Sequence, residues 1–395
     1  MLTVGPGRAD ALVDTEDGVV VGGAMPGAQV AIRTSIRIGE LGWTCAGVFT
    51  ADADGVVDSS RDPSTGGDYV GVDAWGLMWS ADPPARPDKA ELVPLRVEVV
   101  ATSGSGRAGA SYTRAWVTPD VTVSEVGDDG VVGRLHLPAG DDLPALVVVG
   151  GSDGGLGGPT TAALLSGHGV ATLSLAYWNH PGTPGVLRDI DVEVVGRACD
   201  WLRDRPKVRD ARPTVVGISR GGELAMLAGA LMPERVGSVA SLVGSGLVWG
   251  GYGPEIDDND TAWRFRGRPV AQMWEYPDDL DRGLRDPAMV ARAEIPVERV
   301  DGRVLLTSGQ EDQVWRSTLF SDYAVRRAAR AGASGRVEHV AYPDAGHACS
   351  APPGYAVPIG RADPADGRLF LGGTREGNQA ARRDTWRRLL DLVGV

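Results

Sequence analysis

Hydrophobic and polar positions follow two rhythms along this chain, one before about residue 120 and another after it. In the first part, "VAIRTSIRI" (30–38) sets Val30, Ile32, Thr34, Ile36 and Ile38 on one side, with Ala31, Arg33, Ser35 and Arg37 on the other. Alternation with period two marks a strand with one face in the core. "LVPLRVEVVATSG" predicts another strand, and turns rich in Gly, Pro and Asp, such as "ADADGVVD", "DPSTGGD" and "ADPPARPDK", recur between strands. Helical periodicity is scarce, so residues 1–120 are expected to form a small all-β, immunoglobulin-like sandwich domain.

From residue 121 the rhythm becomes strand, glycine-rich turn, helix. "LPALVVVGG" (143–151) is apolar throughout, as in a parallel strand buried on both faces. A helix near 158–168, the strand "GVATLSLAYW" (169–178) and a helix across 188–204 follow. In that last helix Val194, Val195, Ala198, Trp201 and Leu202 share one face. "TVVGIS" leads into the helical "RGGELAMLAGAL"; "VGSVASLVGSG", "GRVLLTSGQED" and "RVEHVAYPDAGH" predict three more strands, and "QAARRDTWRRLLDLV" a closing amphipathic helix. This alternation predicts a doubly wound, mostly parallel α/β sheet over 121–395. Residues 247–300 interrupt it with Trp249, Tyr252, Trp263, Phe265, Trp274 and Tyr276 among turns. Either this excursion packs its own aromatics, or it forms a lid or pocket wall over the strand ends.

Composition narrows the partners. The formal net charge of -13 disfavours nucleic acid and anionic membranes. No apolar run approaches the roughly 20 residues of a membrane span, and "MLTVGPGRADALVD" lacks the order of a signal peptide. Cys45, Cys199 and Cys349 have neither C-x-x-C spacing nor an even count, so no disulfide framework or zinc site is expected and a reducing, cytoplasmic setting fits. Nothing in the pattern speaks to oligomeric state.

Candidate chemistry begins with G-x-S-x-G, which occurs twice, at "GISRG" (Ser219) and "GGSDG" (Ser152). With 56 glycines in 395 residues, chance alone supplies about 0.4 matches, so context must separate the two. Ser219 ends a strand and leads straight into a helix, the setting of a nucleophile elbow; Ser152 is followed by "DGGLGGPT", too rich in glycine to start a helix at once. A serine hydroxyl needs an imidazole as base and a carboxylate to orient it. Of five histidines, His136 and His339 lie inside strand patterns, His168 ends a helix, and His180 precedes the serine. His347 alone follows the last strand, in "YPDAGHACSAPP". For the carboxylate, Asp312 at the end of "RVLLTSGQED" is preferred; Asp344 competes from near the histidine, and Glu311 is the lesser neighbour. The loop around Ser152 and Asp153 can supply one backbone oxyanion donor and the Arg220 N–H the other, although its glycines could instead form only a tight turn. Cys349 sits close to His347 but lacks an elbow.

With these residues in place, the chain resembles the acyl-CoA thioesterase and bile acid-CoA:amino acid N-acyltransferase family. The matching segments are "GGLGGPTTAALLSGHGVATLSLAYWN", "VVGISRGGELAM", "IPVERVDGRVLLTSGQEDQVWRS" and "YPDAGHACSAPP", with "FTADADGVVDSSRDPSTGGDYVGVDAWGLMWSADPP" similar to that family's amino-terminal β-sandwich. The resemblance implies an α/β-hydrolase carrying a Ser219, Asp312, His347 triad that acts on acyl-CoA thioesters, with coenzyme A entering as part of the substrate and no other cofactor or metal. Conjugating members carry cysteine at the nucleophile, so Ser219 tilts the expectation towards hydrolysis. Transfer to an amino acid or amine by the same triad, and carboxylesterase activity, are the alternatives.

Overall fold

A computed structural model describes residues 1–81, 92–257, 260–273, 281–356, 359 and 370–395. Its largest sheet has eight strands, numbered here β1 (Thr122–Asp128), β2 (Val131–Leu137), β3 (Ala145–Val149), β4 (Ala171–Ala176), β5 (Thr214–Ile218), β6 (Val239–Leu242), β7 (Val304–Gly309) and β8 (Val337–Tyr342). Their spatial order is β1-β2-β4-β3-β5-β6-β7-β8. β1 and β2 form an antiparallel hairpin and β2 runs antiparallel to β4; every other pairing is parallel. This is the α/β-hydrolase sheet, in agreement with the fold expected from sequence. The hairpin itself lies outside the predicted strands, although its two-residue turn carries a readable signal. Asp129 and Gly130 both have positive φ (52° and 71°), the Asp-Gly chemistry that such a turn demands.

Helices α1 (Pro159–Gly167), α2 (Glu193–Arg203), α3 (Arg220–Leu231), α4 (Ser317–Arg330) and α5 (Arg375–Val393) cover the sheet. Alternate residues of β3 divide between the two faces. Leu146 and Val148 join a core with Leu164 and Leu165 of α1 and Trp386 and Leu389 of α5, whereas Val147 and Val149 join one with Val195 and Leu202 of α2 and Leu224 and Leu227 of α3. Burial on both faces explains the unbroken apolar run of β3, each such side chain contributing about 1.5–3 kcal/mol. The second helix begins at Glu193 rather than at 188. Ile190–Asp191 are instead drawn into a three-stranded sheet with Trp263–Phe265 and Arg268–Pro269.

The amino-terminal part is built mainly of strands, as its period-two pattern predicts, with one short helix, Gly76–Trp79, among the described residues. A six-stranded sheet built around Gln29–Ile38, Leu41–Thr50, Leu95–Ser103 and Gly106–Ala115 accompanies a three-stranded sheet of Thr3–Pro6, Val19–Gly22 and Val57–Asp58. Val30, Ile32, Thr34, Ile36 and Ile38 are all buried. Thr34, the one polar member of that face, donates its hydroxyl to the Leu77 carbonyl. These sheets share the α1/α5 core. The contact is polar as well as apolar: buried Asp14 lies 2.6 Å from His168 Nε2 and accepts from Trp386 Nε1 at 2.8 Å. No helix among the described residues is long and apolar enough to cross a membrane.

Candidate active site

Four loops at the carboxyl ends of parallel strands converge where ligands bind open α/β sheets. After β5 the chain turns into α3 in one residue. That residue is Ser219, held at φ 57°, ψ -121°, a conformation that costs a non-glycine residue of order 1–3 kcal/mol. Glycines make the turn possible. A Cβ on Gly217 would lie 1.9 Å from the Gly221 carbonyl oxygen, and one on Gly221 would lie 2.3 Å from the Gly150 carbonyl oxygen. The strained serine at a strand-to-helix junction matches the nucleophile elbow expected at "GISRG".

The loop after β7 carries Asp312 and the loop after β8 carries His347. His347 Nδ1 and Asp312 Oδ2 lie 2.8 Å apart, and the Asp312 side chain is 1% exposed. Ser317 Oγ donates to the same carboxylate oxygen at 2.7 Å, and the Val314 and Trp315 amides donate to Oδ1 at 3.0 and 3.3 Å. A carboxylate so saturated is a fixed acceptor that selects the Nδ1–H tautomer of the histidine and leaves Nε2 as its basic edge. The histidine loop is anchored in turn. His347 N–H donates to the Leu371 carbonyl (2.7 Å), and Gly346 N–H donates to Asn378 Oδ1 (3.0 Å) on α5. Of the rival carboxylates, Glu311 and Asp344 are exposed and neither pairs with His347. Trp315 Nε1 donates to the Val243 carbonyl beyond β6, and Val243 shares a cluster with Ala345 and Ile218. These contacts draw the dyad towards the serine across the intervening strands. Among the described residues the Ser219 hydroxyl makes no hydrogen bond, so serine and dyad share an edge without being joined.

The loop after β3 touches the serine directly. A Cβ on Gly151 would sit 2.9 Å from Ser219 Cβ and 3.5 Å from its Oγ, so only glycine fits. Ser152 and Asp153 follow at once, Ser152 half-buried and Asp153 exposed.

The excursion over 247–300 is tied down. Glu223, fully buried in the first turn of α3, pairs with Arg220 (Nη1 to Oε2, 3.1 Å). The pair then fastens the excursion: Arg220 Nη2 donates to the Trp249 and Gly250 carbonyls (3.0 and 2.7 Å), while Glu223 Oε1 accepts from Trp249 N–H (3.1 Å) and Trp263 Nε1 (2.5 Å). Trp263 is fully buried and Trp249 packs on Phe320, their ring centroids 4.8 Å apart. The aromatics of the excursion thus pack on residues outside it, Trp249 on Phe320, Trp263 on Tyr177 and Tyr252 on Trp178, and the excursion is bolted to the helix that follows Ser219. Trp274 and Tyr276 lie outside the described residues. Within the excursion opens a cavity of about 530 Å³, lined by Gly250, Tyr252, Pro254, Ile256 and Met273 among others. Sequence reasoning passed over Glu223, although a carboxylate embedded in "GGELAMLAGAL" is the mark of a buried, partnered charge.

The remaining histidines sort by environment. His136 is fully buried in β2 and burial pulls its pKa down to about 4. His339, inside β8, completes a second Ser-His-Asp array: Nε2 lies 2.8 Å from Ser308 Oγ and Nδ1 3.3 Å from Asp322 Oδ1. Ser308 is fully buried within β7, so this array has no access to substrate. Cys349 is fully buried and its burial pushes the thiol pKa up, the opposite of what a nucleophile needs. No cluster of potential metal ligands occurs among the described residues.

Residues 190–393 match the family model described as BAAT / Acyl-CoA thioester hydrolase C terminal, and residues 14–128 match the Acyl-CoA thioester hydrolase/BAAT N-terminal region. Acyl-coenzyme A thioesterase 1 of Rattus norvegicus is 28% identical over 388 residues, covering 94% of this chain and 91% of the relative. Acyl-coenzyme A thioesterase 6 of Mus musculus is 28% identical over 392 residues, with the same coverage. Among solved structures, an alpha/beta hydrolase enzyme from a Medee basin deep-sea metagenome aligns with a TM-score of 0.44 at 14% identity, covering 70% of this chain and 100% of that one. With one family model spanning just over half of the chain and the other most of its first third, the protein belongs to the acyl-CoA thioester hydrolase/BAAT family.

Proposed function

We propose that the protein hydrolyses acyl-CoA thioesters to a free carboxylic acid and coenzyme A through an acyl-Ser219 intermediate. The observation that carries this reading is the strained backbone of Ser219 at the β5–α3 junction, at the same sheet edge as the Asp312–His347 pair. Ser219 Oγ attacks the thioester carbonyl while His347 Nε2 takes its proton, and Asp312 stabilises the imidazolium. The tetrahedral oxyanion is received by backbone N–H groups of Arg220 and of the loop at Ser152 and Asp153, a kind of contact worth about 10²–10³ in kcat per donor. The thiolate of coenzyme A leaves and takes the proton from His347. Water, deprotonated by the same histidine, then cleaves the acyl ester and restores Ser219. The excursion, docked on α3 through the Arg220–Glu223 pair, serves as a fixed wall next to Ser219. We divide the chain near residue 120 into a β-sandwich domain and a catalytic domain, a division supported by Gly106–Ala115 being the last strand of the six-stranded sheet and β1 the first of the large one.

Incubation with short, long, branched and aromatic acyl-CoAs, with and without glycine or taurine, tests the reading. Equimolar acid and free thiol are expected, with no amide. Predominant amide would replace hydrolysis by transfer to an amine, and turnover confined to oxygen esters would replace it by carboxylesterase activity.

A further inference from the structure

The residues directly after β4, "YWN", have no place in the mechanism above, yet each reaches across to a backbone carbonyl of the loop that abuts Ser219. Tyr177 Oη donates to the Gly150 carbonyl at 2.8 Å, Trp178 Nε1 to that of Gly151 at 3.3 Å, and Asn179 Nδ2 to that of Asp153 at 3.4 Å. The strap is doubled by main-chain bonds in the other direction: Gly155 N–H donates to the Trp178 carbonyl and Gly157 N–H to that of Leu175, both at 3.0 Å. Tyr177 and Trp178 are themselves buried, at 3% and 4% exposure. Burial also drives the Tyr177 phenol pKa upward, which keeps the hydroxyl protonated as a donor.

A trans peptide holds its carbonyl and the following N–H in one plane, pointing in opposite directions. Fixing the Gly150 and Gly151 carbonyls therefore fixes the directions of the Gly151 and Ser152 N–H groups, in the segment where Gly151 is packed against Ser219. We propose that Tyr177 and Trp178 are positioning residues that hold the loop after β3 so that its Ser152 N–H meets the oxyanion formed on Ser219. The proposal rests on the assignment of Ser219 as nucleophile. Trp178 also stacks edge-on against Tyr252, centroids 6.4 Å apart, and Tyr252 lines the 530 Å³ cavity. Trp178 thus links the loop after β3 to the wall of that cavity.

The test compares Tyr177→Phe and Trp178→Phe with the wild-type full chain in two reactions. In acyl-CoA hydrolysis, a displaced oxyanion donor lowers kcat about 10- to 100-fold with KM unchanged. Reaction with a fluorophosphonate forms an Oγ–P bond to Ser219, expels fluoride and seats the phosphoryl oxygen where the oxyanion forms; its rate is expected to fall by the same factor. A trifluoromethyl ketone analogue of acyl-CoA, which adds Ser219 and becomes an oxyanion, should lose affinity in proportion, while a thioether analogue should not. Wild-type rates in both variants, or losses confined to KM, would overturn the proposal. If the wild type is labelled at Ser219 but releases no thiol from any acyl-CoA, the thioesterase reading fails and the labelling rates of the variants still decide this one.

Discussion

Replacing Glu223 by Leu removes a single carboxylate from the α3 helix and strands a guanidinium. At 3.1 Å and an effective dielectric of about 20, the Arg220–Glu223 attraction is roughly 5 kcal/mol before desolvation is counted. What the variant loses is set by the cation left behind: breaking one partner of a buried pair costs about 3–5 kcal/mol. The Trp249 amide and the Trp263 indole lose their acceptor as well, each about 1–3 kcal/mol and not fully additive. A loss of about 4 kcal/mol lowers Tm by about 10 °C at the 2–4 °C per kcal/mol typical of domains of this size. Removing both charges should behave differently. Arg220→Met with Glu223→Leu leaves no uncompensated ion and is expected to recover most of the stability, but not the bonds that hold the Trp249 and Gly250 carbonyls against α3. Thermal melts of the two single variants and the double variant, analysed as a double-mutant cycle, give the coupling energy. The difference in tryptophan fluorescence between each protein and its Trp263→Phe derivative reports whether the excursion has come loose. A Glu223→Leu protein that melts within about 1 °C of wild type, against the shift expected from a stranded buried charge, would refute the claim that this pair bolts the excursion to α3.

Other consequences follow from the same geometry. Gly151→Ala forces a methyl to 2.9 Å from Ser219 Cβ and, on the proposed mechanism, is expected to cut kcat about 100-fold through misplacement of Ser219 or of the loop after β3; an unchanged steady-state rate would show that the loop does not abut Ser219 in solution. His136 is neutral in the fold and has its pKa depressed to about 4, so its contribution is complete above the unfolded value of about 6.5 and is lost as pH falls from there towards 4, up to roughly 3 kcal/mol. His136→Leu should therefore flatten the acid limb of a urea-midpoint profile by about one proton, about 1.4 kcal/mol per pH unit, and a persistent slope would contradict the assignment. His168 acts with the opposite sign. Its hydrogen bond to Asp14 raises its pKa, so its contribution is present below about pH 6.5 and is lost as pH rises through the raised value; His168→Gln should weaken that alkaline-side decline.

What the sequence made legible is what depends on short-range pattern. β3 is an unbroken apolar run because both of its faces are covered, and the elbow shows as a strand, a serine and a helix with glycines where Cβ atoms would collide. Asp312 could be preferred over Asp344 because the acid arrives from the end of a strand, and the structure pairs it with His347. What stayed hidden depends on distant partners. Nothing near Ile190 announces that Trp263 will pair with it and shorten the helix predicted from 188, and Asp14 meets Trp386 across 372 residues. The array of Ser308, His339 and Asp322 carries the opposite lesson. It reproduces three residue types at hydrogen-bonding distances, and only the burial of Ser308 within a strand separates it from a site that can act.

The most direct measurement is rapid quench with an acyl-CoA followed by mass analysis of the intact chain and of its proteolytic peptides, run beside steady-state thiol release for wild type, Ser219→Ala and His347→Ala. The account predicts a transient acyl adduct on the peptide containing Ser219 in the wild type, no adduct in Ser219→Ala, and turnover reduced about 10⁴-fold or more in both variants. Thiol release by Ser219→Ala at the wild-type rate, or an adduct on any other residue, would contradict it.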